Sequence, residues 1–155
     1  MSRSGYSDDC ENVAMWRGVI ASATRGKRGQ QFFRDLVAAL DAMPIKRLID
    51  GDLETAEGDV CALGSLARHK GKSLVPDDTY DYAKLGATFN IAEQLAQEVM
   101  HENDEGAPWR PHHEKEPDEQ RWARVRAWAA KQIHVLPDEL LPDVAPPPRN
   151  PGEPR

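Results

Sequence analysis

Residues 13–44, VAMWRGVIASATRGKRGQQFFRDLVAALDAMP, decide how this chain folds. Val13, Trp16, Val19, Ile20 and Ala23 recur at intervals of three and four, which is one face of a helix running to about Thr24. Arg25-Gly26-Lys27-Arg28-Gly29 then interrupts the pattern with two glycines. A second stripe of Phe33, Leu36, Val37 and Leu40 predicts a helix from about Gln30 to Ala42. Met43-Pro44 ends it, because the residue before a proline is pushed out of the helical region. Two amphipathic helices joined by a short basic loop read as an antiparallel αα-hairpin.

Working outward, residues 45–61 admit two readings. Asp50-Gly51 and Glu57-Gly58 supply the residues that tight turns require, which suits a small β-hairpin, and a broken helix fits the same residues. Ala62 to His69 is helical in pattern and stops before Gly71. Asp77 or Asp78 is placed to cap a helix ending near Leu85. Asn90-Ile91-Ala92-Glu93 matches a capping box, opening a helix to about His101. Residues 102–116 are too polar and proline-rich for regular structure. Pro117 suits the first turn of a last helix, where its missing N–H costs nothing. Trp122, Val125, Ala129 and Ile133, with Trp128 beside them, form the buried face of that helix. Seven of the twelve prolines fall in residues 137–155, which predicts a disordered or polyproline tail. The expected fold is therefore mainly α. It is a compact bundle of about five or six helices over residues 13–135, with a flexible N-terminus at 1–12 and a Pro-rich tail at 136–155.

Composition narrows the function classes. The chain has 155 residues and two cysteines, Cys10 and Cys61. That is long enough for a core without metal or disulfide staples, and the cysteines form no CxxC pair. Met1 to Cys10 lacks the apolar core of a signal peptide, and no apolar run approaches the roughly 20 residues that cross a bilayer. The expectation is a chain without membrane association, working in a reducing cytoplasm. The net charge of −6 conceals a split. Residues 13–47 hold Arg17, Arg25, Lys27, Arg28, Arg34, Lys46 and Arg47 against Asp35 and Asp41, whereas residues 48–155 hold 12 basic and 21 acidic residues. Such asymmetry bears on partners more than on fold.

Those seven cations form the candidate binding surface. Glycine lets a backbone approach a phosphate, and the following helix N-terminus offers amide donors and partial positive charge. The stretch lacks Walker-loop spacing, and its structural reading is a solvated turn. Residues 81–100 resemble a helix-turn-helix in outline, but the acidic run from Asp77 to Glu105 faces one Lys84 and makes a poor reader of DNA. The cluster His101-Glu102-Asn103-Asp104-Glu105 with His112-His113-Glu114 has metal-ligand types at spacings that match no metal motif. No nucleophile sits in an activating pattern. The expectation is a non-enzymatic protein without cofactor or metal. Trp109, between Pro108 and Pro111, is either a loop anchor or a contact residue.

Several blocks carry a resemblance: MSRSGYSDDC (1–10), WRGVIASATRGKRGQQFFRDLVAALDAMP (16–44), GDVCALGSLARHKG (58–71), FNIAEQLAQEVMHENDEG (89–106) and DEQRWARVRAWAAKQI (118–133). Together they resemble an uncharacterised family of small proteins carried by tailed phages and prophages. The family brings no activity or site residues to this chain. The resemblance implies the cytoplasm of a bacterial host and a viral accessory role. The corresponding expectation is an anti-CRISPR-like or other anti-defence inhibitor that binds a host protein or nucleic-acid–protein complex. The alternative is a small nucleic-acid-binding regulator using residues 17–47. Within the inhibitor reading the contact surface is either the basic hairpin or the acidic remainder of the chain set against a DNA-binding groove. A third class, an enzyme or nucleotide sponge, predicts a deep pocket with convergent polar groups.

Overall fold

The computed structural model describes Ser4 and residues 13–74, 80–111 and 114–134. Among them are six helices: α1 (Val13–Arg25), α2 (Lys27–Ala42), α3 (Ala62–His69), α4 (Tyr82–Phe89), α5 (Glu93–Glu105) and α6 (Asp118–Lys131). The fold is mainly α, as the periodicity required. Two helices organise it. α2 packs on α1, α3 and α6, and α5 packs on α1, α3, α4 and α6. Phe33, Leu36, Leu40, Leu63, Leu66, Leu95, Val99 and Val125 are fully buried between them. Phe32 and Phe33 meet edge-to-face at 5.2 Å and extend that contact to Phe89 and Trp128. A ring edge on a ring face adds a directional term to the burial. The flexible 1–12 segment, Cys10, the cap at Asp77 or Asp78, and the proline tail all lie outside the described residues.

Four expectations need correction. The break between the first two helices is one residue, Gly26, not a five-residue loop. Gly26 is extended (φ −67°, ψ 162°) and α2 resumes at Lys27. Gly29 makes this possible, since a Cβ there would lie 1.9 Å from the Ala23 carbonyl oxygen. The missing side chain lets the first turn of α2 rest on the last turn of α1. On α1 itself, Val13 and Val19 are exposed, while Ile20 is buried and Trp16 and Ala23 are half-buried.

Residues 45–61 form neither a β-hairpin of strands nor a broken helix. They hold one isolated antiparallel bridge, Glu54 to Val60, with Gly51 and Gly58 at positive φ. Part of the backbone pairs within the segment, with Ile49 N–H donating to the Val60 carbonyl and Cys61 N–H to the Leu53 carbonyl, while Leu48 turns to α6: its N–H donates to the Asp118 carbonyl and its carbonyl accepts from Arg121. With Leu48 taken up by the helix start, the pairing does not extend into a pair of strands.

The capping box does not form. Asn90 instead closes α4 in the left-handed region (φ 55°, ψ 45°), Ile91 N–H donates to the Gly86 carbonyl, and α5 opens at Glu93. Asparagine tolerates this conformation better than most side chains, so the same residue suited both roles. The cap of α4 is Asp81, which accepts from Lys84 N–H at 2.9 Å.

α5 also outruns its expected end at His101, reaching Glu105. Asn103 explains much of this. It is 1% exposed, accepts from Ala62 N–H at the start of α3 and donates to the Ile49 carbonyl, so the helix is anchored beyond its apolar stripe. The buried face of α6 is Arg121, Val125 and Ala129, with Trp122, Trp128 and Ile133 only half-buried.

Candidate functional site

The corner where α1 meets α2 is built on a glutamine. Gln30 is 1% exposed, and its Nε2 donates to the carbonyls of Thr24 (2.7 Å) and Gln132 (2.9 Å). Its Oε1 accepts from His134 N–H at 2.7 Å. One side chain thus ties the end of α1, the start of α2 and the residues after α6 into one rigid unit.

Three cations stand on that unit. Arg25 ends α1, and Lys27 and Arg28 open α2. No acidic residue lies in the first turn of α2, and Gly26 provides no side-chain cap. The first amides of a helix have no intrahelical acceptors, so this end presents unsatisfied donors together with two positive side chains. Arg28 Nη1 donates to Asn90 Oδ1 at 3.3 Å, a neutral partner, and no described carboxylate compensates its charge.

Beside the corner runs an open groove of ≈ 870 Å³, walled by Met15, Val19 and Ile91 and floored by Gly18 and Ser22, with Lys27 and Arg28 at its end. Met15 is 65% exposed, unusual for so large an apolar residue. The sequence did carry a signal for it. α1 holds more apolar residues than one stripe can bury, and Met15, Val19 and Ser22 make a second strip at i, i+4 and i+7.

The other predicted cations are placed differently. Arg17 reaches from α1 to Glu98 of α5 at 3.0 Å, and that glutamate is 6% exposed. Arg34 is half-buried on α2 and engaged within the fold. Lys46 and Arg47 lie past the far end of α2. A helix of 16 residues puts them about 24 Å from Lys27. Lys46 Nζ caps the end of α2 by donating to the Asp41 carbonyl, and it lies 5.5 Å from the Trp122 ring centroid. Arg47 pairs with Asp59 at 2.7 Å, which raises its pKa. The seven cations therefore do not form one surface. The structure gathers Arg25, Lys27 and Arg28 and disperses the rest.

The far end of the molecule also consumes the acidic residues. Arg124 grips Glu116 through two bonds of 2.8 and 2.9 Å, and Arg126 grips Asp41 through two of 3.0 Å. Burial alone would raise the Glu116 pKa, but the Arg124 bonds and the nearby Arg121 charge hold it below its ordinary value. Arg126 likewise lowers Asp41. Glu102 moves the other way, pushed up by burial and by the neighbouring Glu98. Trp109 is 86% exposed and precedes α6, at this end rather than at the corner. His101 Nδ1 lies 3.1 Å from Glu105 Oε2, and among the described residues no three His, Cys, Asp or Glu side chains converge on a point that would hold a metal. His112 and His113 lie outside the described residues. No helix among those described is long and apolar enough to cross a membrane.

Nothing among protein-family models, curated proteins or solved structures matches the chain.

Proposed function

We propose that this chain acts by binding a protein partner through the α1–α2 corner, in the accessory role that its resemblance to small phage and prophage proteins implies. The favoured partner is a host protein, such as a component of an antiviral defence, that presents a carboxylate-bearing surface with apolar residues beside it. A single observation carries the reading: Arg25, Lys27 and Arg28 have no acidic partner among the described residues and stand at an uncapped helix start that opens onto an apolar groove. Partner carboxylates would satisfy the amides and cations together, while apolar side chains filled the groove.

The charge count favours protein over nucleic acid. Proteins that hold duplex DNA tightly make on the order of 6–10 phosphate contacts, and this corner supplies three cations. It favours the corner over a DNA-mimicking acidic face as well, since Asp41, Asp50, Asp59, Glu98 and Glu116 are already engaged by cations within the fold.

The test is affinity capture from bacterial lysate with the intact chain and with the triple variant Arg25→Glu, Lys27→Glu, Arg28→Glu. The expected result is a protein retained by the former, lost from the latter and unaffected by nuclease. Capture that disappears on nuclease treatment would transfer the corner to the nucleic-acid-regulator reading. Equal capture by both chains would remove the corner from the function altogether.

A further inference from the structure

A second concavity lies at the opposite end of α2, remote from the corner and independent of its proposed role. It measures ≈ 240 Å³ and sits between the end of α2, the 45–60 segment and α3. Ala39, Ala42, Met43 and Val60 make its walls apolar. Ser65, Arg68 and His69 also line it, at i, i+3 and i+4 on α3, so all three side chains lie on the strip that faces the cavity.

Ser65 is the anomaly. It is 3% exposed and its hydroxyl makes no hydrogen bond. A buried hydroxyl without a partner is costly, and folded proteins rarely leave one. The mouth is charged, with each arginine held by a carboxylate. Arg47 and Arg68, each about half exposed, stand there with Asp59. Arg47 uses Nη2 on Asp59, and Arg68 uses Nη2 on Glu54 and on the Gly58 carbonyl. A guanidinium has five N–H donors, so both retain donors for a further anion.

We propose that this cavity binds a small aromatic monocarboxylate. Its ring lies against the apolar walls, its carboxylate meets Arg47 and Arg68 at the mouth, and a polar ring substituent bonds the Ser65 hydroxyl. The volume suits one ring and its substituents, below the roughly 300–1,000 Å³ of sites for larger ligands.

Three probes separate these contacts: 4-hydroxybenzoate, benzoate, which lacks a partner for Ser65, and 4-hydroxybenzyl alcohol, which lacks the charge. Each is titrated into the full chain while the backbone amide shifts of Met43, Gly58 and Ser65 are followed. 4-Hydroxybenzoate should bind about fivefold more tightly than benzoate and about tenfold more tightly than the alcohol. Ser65→Ala should abolish the first ratio and leave the second, with a melting temperature equal to or above that of the parent because an unpartnered hydroxyl has gone. Arg68→Met should collapse the second ratio, and Arg47→Met, which leaves the Arg68 bond to the Gly58 carbonyl in place, should reduce it as well. Three results would overturn the assignment. One is no localised shift up to about 10 mM, which is weaker than any millimolar site. Another is equal binding of benzoate and 4-hydroxybenzoate, meaning that water alone serves Ser65. The last is discrimination that survives Ser65→Ala.

Discussion

The two ends of α2 use the same residue types for opposite purposes. At its C-terminal end, Arg47, Arg121, Arg124 and Arg126 are all matched to carboxylates, and Arg121 and Arg124 also reach backbone carbonyls. At its N-terminal end, Arg25, Lys27 and Arg28 face no carboxylate among the described residues, and the rigid unit beneath them is held by Gln30, a neutral side chain. Charge is structural at one end and available at the other. The contrast shows why a count of cations misplaces a binding surface: an arginine offers an uncompensated charge only where the fold has not paired it, and a paired one offers at most its remaining N–H donors.

The largest expected effect tests the structural end. Arg121 is 2% exposed and bonds the Leu48 carbonyl at 2.8 Å, the Asp118 carboxylate at 2.8 Å and the Glu116 carbonyl at 3.3 Å. It supplies the Leu48 carbonyl with the donor that strand pairing would otherwise provide. Arg121→Met keeps most of the volume but strands these acceptors, and should destabilise the fold by about 3–5 kcal/mol in urea unfolding. A loss below about 1 kcal/mol would make this network no better than a surface ion pair, and the contrast between the two ends would fail.

The pH dependence belongs to the same end. Glu116 has a folded-state pKa below its ordinary value of 4.5. A depressed carboxylate contributes stability that is fully present above that ordinary value and lost as the pH falls through the folded one. Glu116→Gln keeps one acceptor oxygen but loses the charge and the second bond, and should therefore weaken the protein at pH 7 by about 1.5–3 kcal/mol. Its deficit against the parent should shrink as both are acidified below about pH 4.5. Urea midpoints measured across pH 3–7 would show the two curves converging. Parallel curves would mean that Glu116 is not the titrating group.

At the corner the leading effect is steric. Gly29→Ala would place a methyl 1.9 Å from the Ala23 carbonyl oxygen, forcing α1 and α2 apart. Overpacking of this kind costs typically about 1–3 kcal/mol. The same displacement should loosen the hold of Gln30 on Thr24, which hydrogen exchange at Thr24 and Arg25 would register as faster opening. Unchanged exchange would show that the corner is not one unit.

How far these features were legible in the sequence follows their range. Apolar recurrence located the helices because the 3.6-residue period is a local property, and Phe33, Leu36 and Leu40 fell where the stripe placed them. Boundaries were harder. Asn90 satisfies the chemistry of a helix start and of a helix stop, and only the close approach of Gly86 to the Ile91 carbonyl decides between them. The burial of Arg121 was illegible, because its partner Leu48 lies in a segment with no periodic signature, 73 positions away. The candidate surface was half legible for the same reason. The sequence names the cations, whereas Glu98 and Asp59, which engage Arg17 and Arg47, arrive through tertiary contact.

The smallest expected change in stability is the most discriminating. Lys27 and Arg28 occupy the first turn of α2, where the helix dipole is positive and favours acidic residues. Both are therefore misplaced for stability, whereas Arg25, at the end of α1, is well placed. Lys27→Glu and Arg28→Glu should each stabilise the protein by about 0.3–1 kcal/mol at low ionic strength while weakening partner capture. Stability and binding moving in opposite directions is the signature of residues kept for a partner, because a merely solvated turn would gain the stability and lose nothing. If both variants lower the melting temperature instead, the cations are compensated within the fold and the two ends of α2 are alike.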